Sequence, residues 1–201
     1  MKAEGLKDLV PVGVPKIENL KRGKKASGML SLKIFIRGNA GRTHHRLSSS
    51  KSTTSAAPNG LERLLTFKRF FAENEGIGKT LKFELEAASA GRVAFVGTPG
   101  KWAYNPTGTV HGGWTAALLD SACACASMTL LDANQASTTL ELKVSYLAAM
   151  TDATGPVRAE GVVIKGGKRA AFAEAKLTSP DGKKLYATAT STLLVMDTSK
   201  K

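Results

Sequence analysis

The run from Val110 to Leu131 constrains this chain more than any other segment, because it contains one carboxylate, Asp120, and no Lys, Arg or Glu. A membrane span is the first alternative to set aside. An ionised carboxylate near mid-span costs about 2.5 to 3.5 kcal/mol on insertion scales, and Gly112 and Gly113 with His111 stand at one end, so the run reads as a buried helix. A helix that is apolar nearly all round must be covered from several sides at once. The flanking sequence supplies the cover, since it changes to the period of two that marks strands with one buried face.

Upstream, Leu81, Phe83, Leu85 and Ala87 alternate with Lys82, Glu84 and Glu86, and a turn at Ala90–Gly91 leads to a second strand over Arg92–Gly97. Downstream, Thr138, Leu140, Leu142, Val144 and Tyr146 face one way, with Thr139, Glu141, Lys143 and Ser145 facing the other. Further strands are expected at Val157–Lys165, Ala170–Thr178 and Leu185–Val195, joined by the turn signals Gly166–Gly167 and Asp181–Gly182 as an antiparallel meander. Before all of these, Asn59 with Glu62 three residues on has the form of a helix start, followed by Leu61, Leu64, Leu65 and Phe71 at helical spacing. The order is one helix, two strands, the long central helix and four strands. This is an α+β pattern in which a sheet wraps one helix.

Charge divides the chain. Lys and Arg number 29 against 16 Asp and Glu, a net +13, of which +9 falls in residues 1–60 and +4 in residues 61–201. Residues 1–58 form a basic, low-complexity extension with no acid between Glu18 and Glu62, and residues 59–197 form the folded domain. The extension has too little apolar surface to offset its ordering entropy, so it is expected to be disordered. Its Arg- and Ser-rich stretch opening at Met29 also has the composition of an organellar transit peptide, which leaves two locations open: cytoplasm, or mitochondrial matrix if the stretch is a signal. With one aromatic, Phe35, and no helix-turn-helix pattern, the extension offers nonspecific phosphate contact at most and no specific nucleic-acid recognition.

Cys123 and Cys125 stand about 200° apart on a helix or on the same face of a strand, neither of which suits a disulfide, and this points to a reducing compartment. Together with His44, His45 and His111 they never reach a zinc-ligand spacing, so no metal is expected. Gly76-Ile77-Gly78-Lys79-Thr80 ends like a phosphate-binding loop, but Glu73 stands where that loop needs its first glycine. The bland reading of Trp102, Trp114 and both cysteines is packing.

Chemistry concentrates between Tyr104 and Asp120. A glycine-bearing loop leads into the start of the long helix, where first-turn N–H groups point outward with the positive end of the helix dipole behind them. Gly112 and Gly113 have no side chain to hold a ligand oxygen away, so this end is suited to stabilising an oxyanion. Asp120, alone on an apolar helix, must be paired, face a cavity, or be used. Gly112 and Asp120 lie roughly 12 Å apart along one helix, whereas an oxyanion donor and a nucleophile must both come within about 3 Å of one reacting carbon. Two copies with antiparallel helices across a twofold axis satisfy that demand, which makes a homodimer the smallest competent unit.

At these positions the chain resembles the hotdog-fold acyl-CoA thioesterases of the PaaI type, whose pattern is N-x-x-G-x-x-H-G-G with an acid nine after the His. Asn105, Gly108, His111, Gly112, Gly113 and Asp120 match it, and the resemblance extends from about Leu61 to Val195. It implies hydrolysis of acyl-CoA, with aryl-acetyl, aromatic or medium-chain acyl groups, by a homodimer or a dimer of dimers, CoA being part of the substrate and no separate cofactor being needed. It further implies that Gly112 N–H polarises the thioester carbonyl while Asp120 of the partner acts as nucleophile or general base. By the same resemblance Asn105 holds water or the carbonyl region, His111 positions the loop, and Thr138, eighteen after the acid, assists the carboxylate. Gly113, Lys168 and Arg169 fall to CoA binding, the two cations facing its phosphates. Two other readings stand beside this one: a hotdog dehydratase or hydratase, and a non-catalytic acyl-CoA sensor whose basic arm binds nucleic acid.

Overall fold

The computed structural model describes residues 10–11, 58–73 and 76–199. They belong to one compact unit made of Met1–Gly13 and Ala57–Lys201. The expected extension over residues 1–58 lies outside the described residues, apart from residues 10, 11 and 58. In chain order the elements are β1 (Val10–Pro11), α1 (Gly60–Glu73), α2 (Ile77–Thr80), β2 (Phe83–Ser89), β3 (Arg92–Gly97), α3 (Gly112–Met128), β4 (Gln135–Tyr146), β5 (Val157–Lys165), β6 (Ala170–Thr178) and β7 (Leu185–Asp197). The strands form one antiparallel sheet in the order β1-β2-β3-β5-β6-β7-β4.

Helix α3 packs against β3, β4, β5, β6 and β7, so the sheet wraps the helix as its all-round apolarity requires. Leu118, Leu119, Ala122, Cys123 and Ala126 have no exposed surface, and each buried leucine contributes about 1.5 to 3 kcal/mol relative to an exposed one. Close approach depends on Gly161 of β5, where a Cβ would stand 2.2 Å from the Ala122 carbonyl oxygen. Ala116, Ala117, Asp120, Ser121, Ala124, Cys125 and Met128 form the half-buried face of α3. Among the described residues no helix is long and apolar enough to cross a membrane.

The start of α1 is held by a reciprocal pair of bonds. Asn59 N–H donates to Glu62 Oε2 at 2.9 Å and Glu62 N–H to Asn59 Oδ1 at 3.0 Å. The helix docks on the end of α3, with Gly60 N–H bonded to the Leu131 carbonyl at 2.9 Å and Arg63 Nη2 donating to the carbonyls of Asp132 and Gln135.

One strand departs from the expected alternation. In β4, Thr139 pairs with Leu193 and Glu141 with Thr192, so Leu140 is an extra residue in a β-bulge. The bulge switches which side chains point inward: Thr139 before it, Leu142 and Val144 after it. Thr138 and Leu140, expected to share a face with Leu142, are exposed, Leu140 at 63%. An inserted residue changes the parity of a period-two pattern, and the unbroken alternation of T-T-L-E-L-K gives no sign of where the extra residue enters.

Candidate active site

The loop before α3 is built by its own backbone and by Asn105. Tyr104 and Val110 form an isolated antiparallel bridge, and between them Asn105 Oδ1 accepts from Thr107 N–H at 3.0 Å, Thr107 Oγ1 at 2.7 Å and Thr109 N–H at 3.2 Å. Asn105 Nδ2 donates to Thr109 Oγ1 at 2.9 Å. The side chain expected to hold water or substrate is thus engaged in shaping its own loop. Gly108, at φ +84°, occupies the left-handed conformation the turn needs. Val110 N–H bonds to the Met150 carbonyl and His111 N–H to that of Ala103, which fixes the loop to its surroundings. Tyr104 Oη donates to Asp152 Oδ1 at 2.7 Å, and this bond holds the Asp152 carboxyl below the usual range.

His111 is the N-cap of α3. Its Nδ1 accepts from Gly113 N–H at 2.8 Å, so the neutral ring carries its proton on Nε2. That bond occupies the Gly113 donor. Of the two glycine N–H groups expected to meet ligand, only that of Gly112 lacks an acceptor among the described residues. The Gly112 carbonyl takes a 2.9 Å bond from Tyr146 Oη, a residue that nothing in the sequence connects to this turn.

Asp120 lies on the half-buried face of α3, eight residues along from Gly112, and Thr139 Oγ1 donates to its Oδ1 at 3.0 Å. The hydroxyl at the carboxylate is therefore that of Thr139 and not of Thr138, which is exposed on the strand's other side. Counting residues from the acid could not separate adjacent threonines, because the register depends on the connection between α3 and β4. Burial, reinforced by the Asp120 charge, pushes the thiols of Cys123 and Cys125 up to about 12, which makes both poor nucleophiles at neutral pH.

Lys168 and Arg169 are exposed in the β5–β6 turn. Lys168 lines a cavity of about 380 Å³ together with Ser127, Leu131 and Gln135, which places that turn at the end of α3 remote from Gly112. Trp114 is core, 4% exposed, with Nε1 bonded to the Leu81 carbonyl at 2.8 Å. Trp102 packs edge-on against it and is capped by Lys82, whose Nζ lies 4.9 Å from the ring centroid. Among the described residues no group of three or more His, Cys, Asp or Glu side chains could hold a metal ion.

Residues 107–186 match the thioesterase superfamily. The matched span opens in the Asn105 loop and closes in β7, so it contains Gly112, Asp120 and Thr139. A thioesterase family protein from Silicibacter pomeroyi is similar at 27% identity over 64% of this chain and 94% of its own, with a TM-score of 0.58. Zebra fish thioesterase superfamily member 2 is similar at 27% identity over 67% and 96%, with a TM-score of 0.57. The PaaI protein from the phenylacetic acid degradation operon of E. coli shares 18% identity over 64% and 89%, with a TM-score of 0.56, a likeness of fold alone. The fold is the hotdog, as expected. No curated protein matches the chain by sequence.

Proposed function

We propose that this protein hydrolyses acyl-CoA thioesters at a site completed by two copies of the chain. Thioester hydrolysis as the reaction class is supported by the superfamily match and by the thioesterases of similar fold. The observation that carries the assignment to residues is Asp120, ionisable, held by Thr139 on the one face of α3 left half open.

With two α3 helices antiparallel, the Gly112 N–H of one copy polarises the thioester carbonyl while Asp120 of the other, with Oδ2 not engaged by Thr139, attacks the carbonyl carbon or takes the proton of an attacking water. The CoA thiolate leaves and is protonated; where Asp120 attacks directly, water then hydrolyses the aspartyl–acyl anhydride and restores the carboxylate, and by either route the acyl group departs as the free acid. CoA enters as part of the substrate. Pairing is supported by β4, a twelve-residue strand with no neighbour beyond it among the described residues, which leaves Leu140 and Tyr146 exposed. Antiparallel pairing also brings the Lys168 end of one α3 towards the partner's Asn105 loop, where a cation can meet a CoA phosphate. The PaaI type, an aromatic or medium-chain acyl group and a dimer of dimers complete the reading.

The test is release of free CoA from aryl-acetyl-, aroyl- and straight-chain acyl-CoAs by the wild type and Asp120→Asn. The substitution is expected to lower kcat at least about 100-fold. Equal rates in the two proteins would overturn the role given to Asp120, and no CoA release from any substrate would overturn the function.

A further inference from the structure

We propose that Tyr146 is a positioning residue for the oxyanion donor, holding the first turn of α3 so that the Gly112 N–H keeps its direction. This rests on the reading of that N–H as the group that polarises the thioester carbonyl. The first turn begins with two glycines, the weakest helix formers after proline, and is therefore the part of α3 least able to hold its own geometry. Two side chains grip the single peptide unit between them. Tyr146 Oη donates to the Gly112 carbonyl at 2.9 Å, and His111 Nδ1 accepts from the Gly113 N–H at 2.8 Å. Because a peptide is planar, holding its oxygen and its N–H fixes the whole unit. On the other side of Gly112, the His111 carbonyl accepts from Trp114 N–H at 3.0 Å and the His111 N–H donates to Ala103 at 2.7 Å. The Gly112 N–H is the group left unengaged between two clamped peptides.

Two further features separate positioning from plain packing. The place of the Gly112 carbonyl in the first turn already gives it an intrahelical donor, so the tyrosine hydroxyl is an added restraint and not the satisfaction of an orphaned group. Tyr146 is 56% exposed in the single chain and its ring lies directly against Gly112, where a Cβ would meet its Cζ and Oη at 3.1 Å. Glycine at 112 thus serves two purposes: it admits a ligand oxygen on one side and the Tyr146 hydroxyl on the other.

Tyr146→Phe keeps the ring and removes the one O–H. Expected are a fall in kcat of about 3- to 10-fold, a KM within about twofold of wild type, and an unchanged melting temperature. A ketone analogue of acyl-CoA, with CH2 in place of the thioester sulfur, supplies a second readout. Its bound C=O infrared stretch is expected to shift to higher frequency in Tyr146→Phe, because a displaced donor polarises the carbonyl less. Wild-type kcat and stretch in Tyr146→Phe, with Asp120→Asn inactive, would overturn this proposal and leave the proposed function standing. A kcat loss accompanied by an unchanged stretch and a lowered melting temperature would also overturn it, as a structural effect. Full activity in Asp120→Asn would remove the proposed function and this inference with it.

Discussion

Thr139 donates its hydroxyl to Asp120 Oδ1 at 3.0 Å, joining the inward face of β4 to the half-open face of α3. The neighbouring Thr138 is exposed and pairs across to Leu194. If the bond sets the rotamer of a working carboxylate, the two threonines must differ sharply. Thr139→Val, which preserves shape and deletes the donor, is expected to lower kcat about 10-fold, while Thr138→Val stays within about twofold. Steady-state rates on one acyl-CoA decide it, and the opposite ranking would make Thr138 the hydroxyl that serves the carboxylate.

Why Thr139 and not Thr138 was illegible has a local cause. The sequence carried the boundaries of β5 and β6 to the residue, the start of α1 and the order of the elements apart from β1 and the short α2, because each rests on contacts within a few positions: alternation, turn glycines, or a reciprocal Asn59–Glu62 cap. The inward side of β4 rests on its register against β7, set some fifty residues away, and one extra residue reverses it. Tyr146 is a similar case. Its distance in sequence from Gly112 hides a contact made only when β4 lies along α3. The pairing of Val10–Pro11 with Ala87 and Ala88 at the edge of β2 is likewise invisible in so short a strand, although a proline in such a place is one an edge strand tolerates.

The Asn105 side chain makes four hydrogen bonds within residues 105–109, three through Oδ1 and one through Nδ2. A loop-forming residue and a substrate-binding residue respond differently to the same pair of substitutions. Asn105→Ala is expected to cost about 1 to 3 kcal/mol, lowering the melting temperature by several degrees and activity with it, whereas Asn105→Asp keeps the three accepted bonds and loses less of both. Equal loss of activity in the two variants at unchanged melting temperature would return Asn105 to direct substrate contact.

The raised thiols make a prediction at high pH. Folding holds the protons of Cys123 and Cys125 more tightly, with ionisation pushed from 9.0 to about 12 by burial and by the Asp120 charge. Their contribution to stability is therefore fully present below about pH 9 and is lost as pH rises towards 12, at up to about 1.4 kcal/mol per pH unit for each thiol. Chemical denaturation at pH 8.5 and 10.5 is expected to show a smaller decline for Cys123→Ala than for the wild type. The comparison cancels the lysines and tyrosines that titrate in the same window. Parallel declines would mean that Cys123 ionises in the folded protein as readily as in the unfolded chain.

A site shared between copies has a signature that no single variant can give. Gly112→Pro removes the N–H that lacks an acceptor, at the first helical position, where proline is well tolerated, although its Cβ would stand 3.1 Å from the exposed Tyr146 and require that side chain to give way. Asp120→Asn removes the carboxylate. Each variant alone is expected to be nearly inactive. In a heterodimer of the two, one site draws Asp120 from the first chain and Gly112 from the second and is intact, while the other site lacks both. Random pairing of equal amounts yields about half heterodimers, so a co-refolded mixture is expected to recover about one quarter of wild-type activity. Recovery requires exchange, so variants mixed after folding provide the control and should stay inactive until subunits redistribute. Absence of recovery in a mixture shown by mass to contain heterodimers would mean that Gly112 of one chain and Asp120 of the other do not act together, which overturns the shared site.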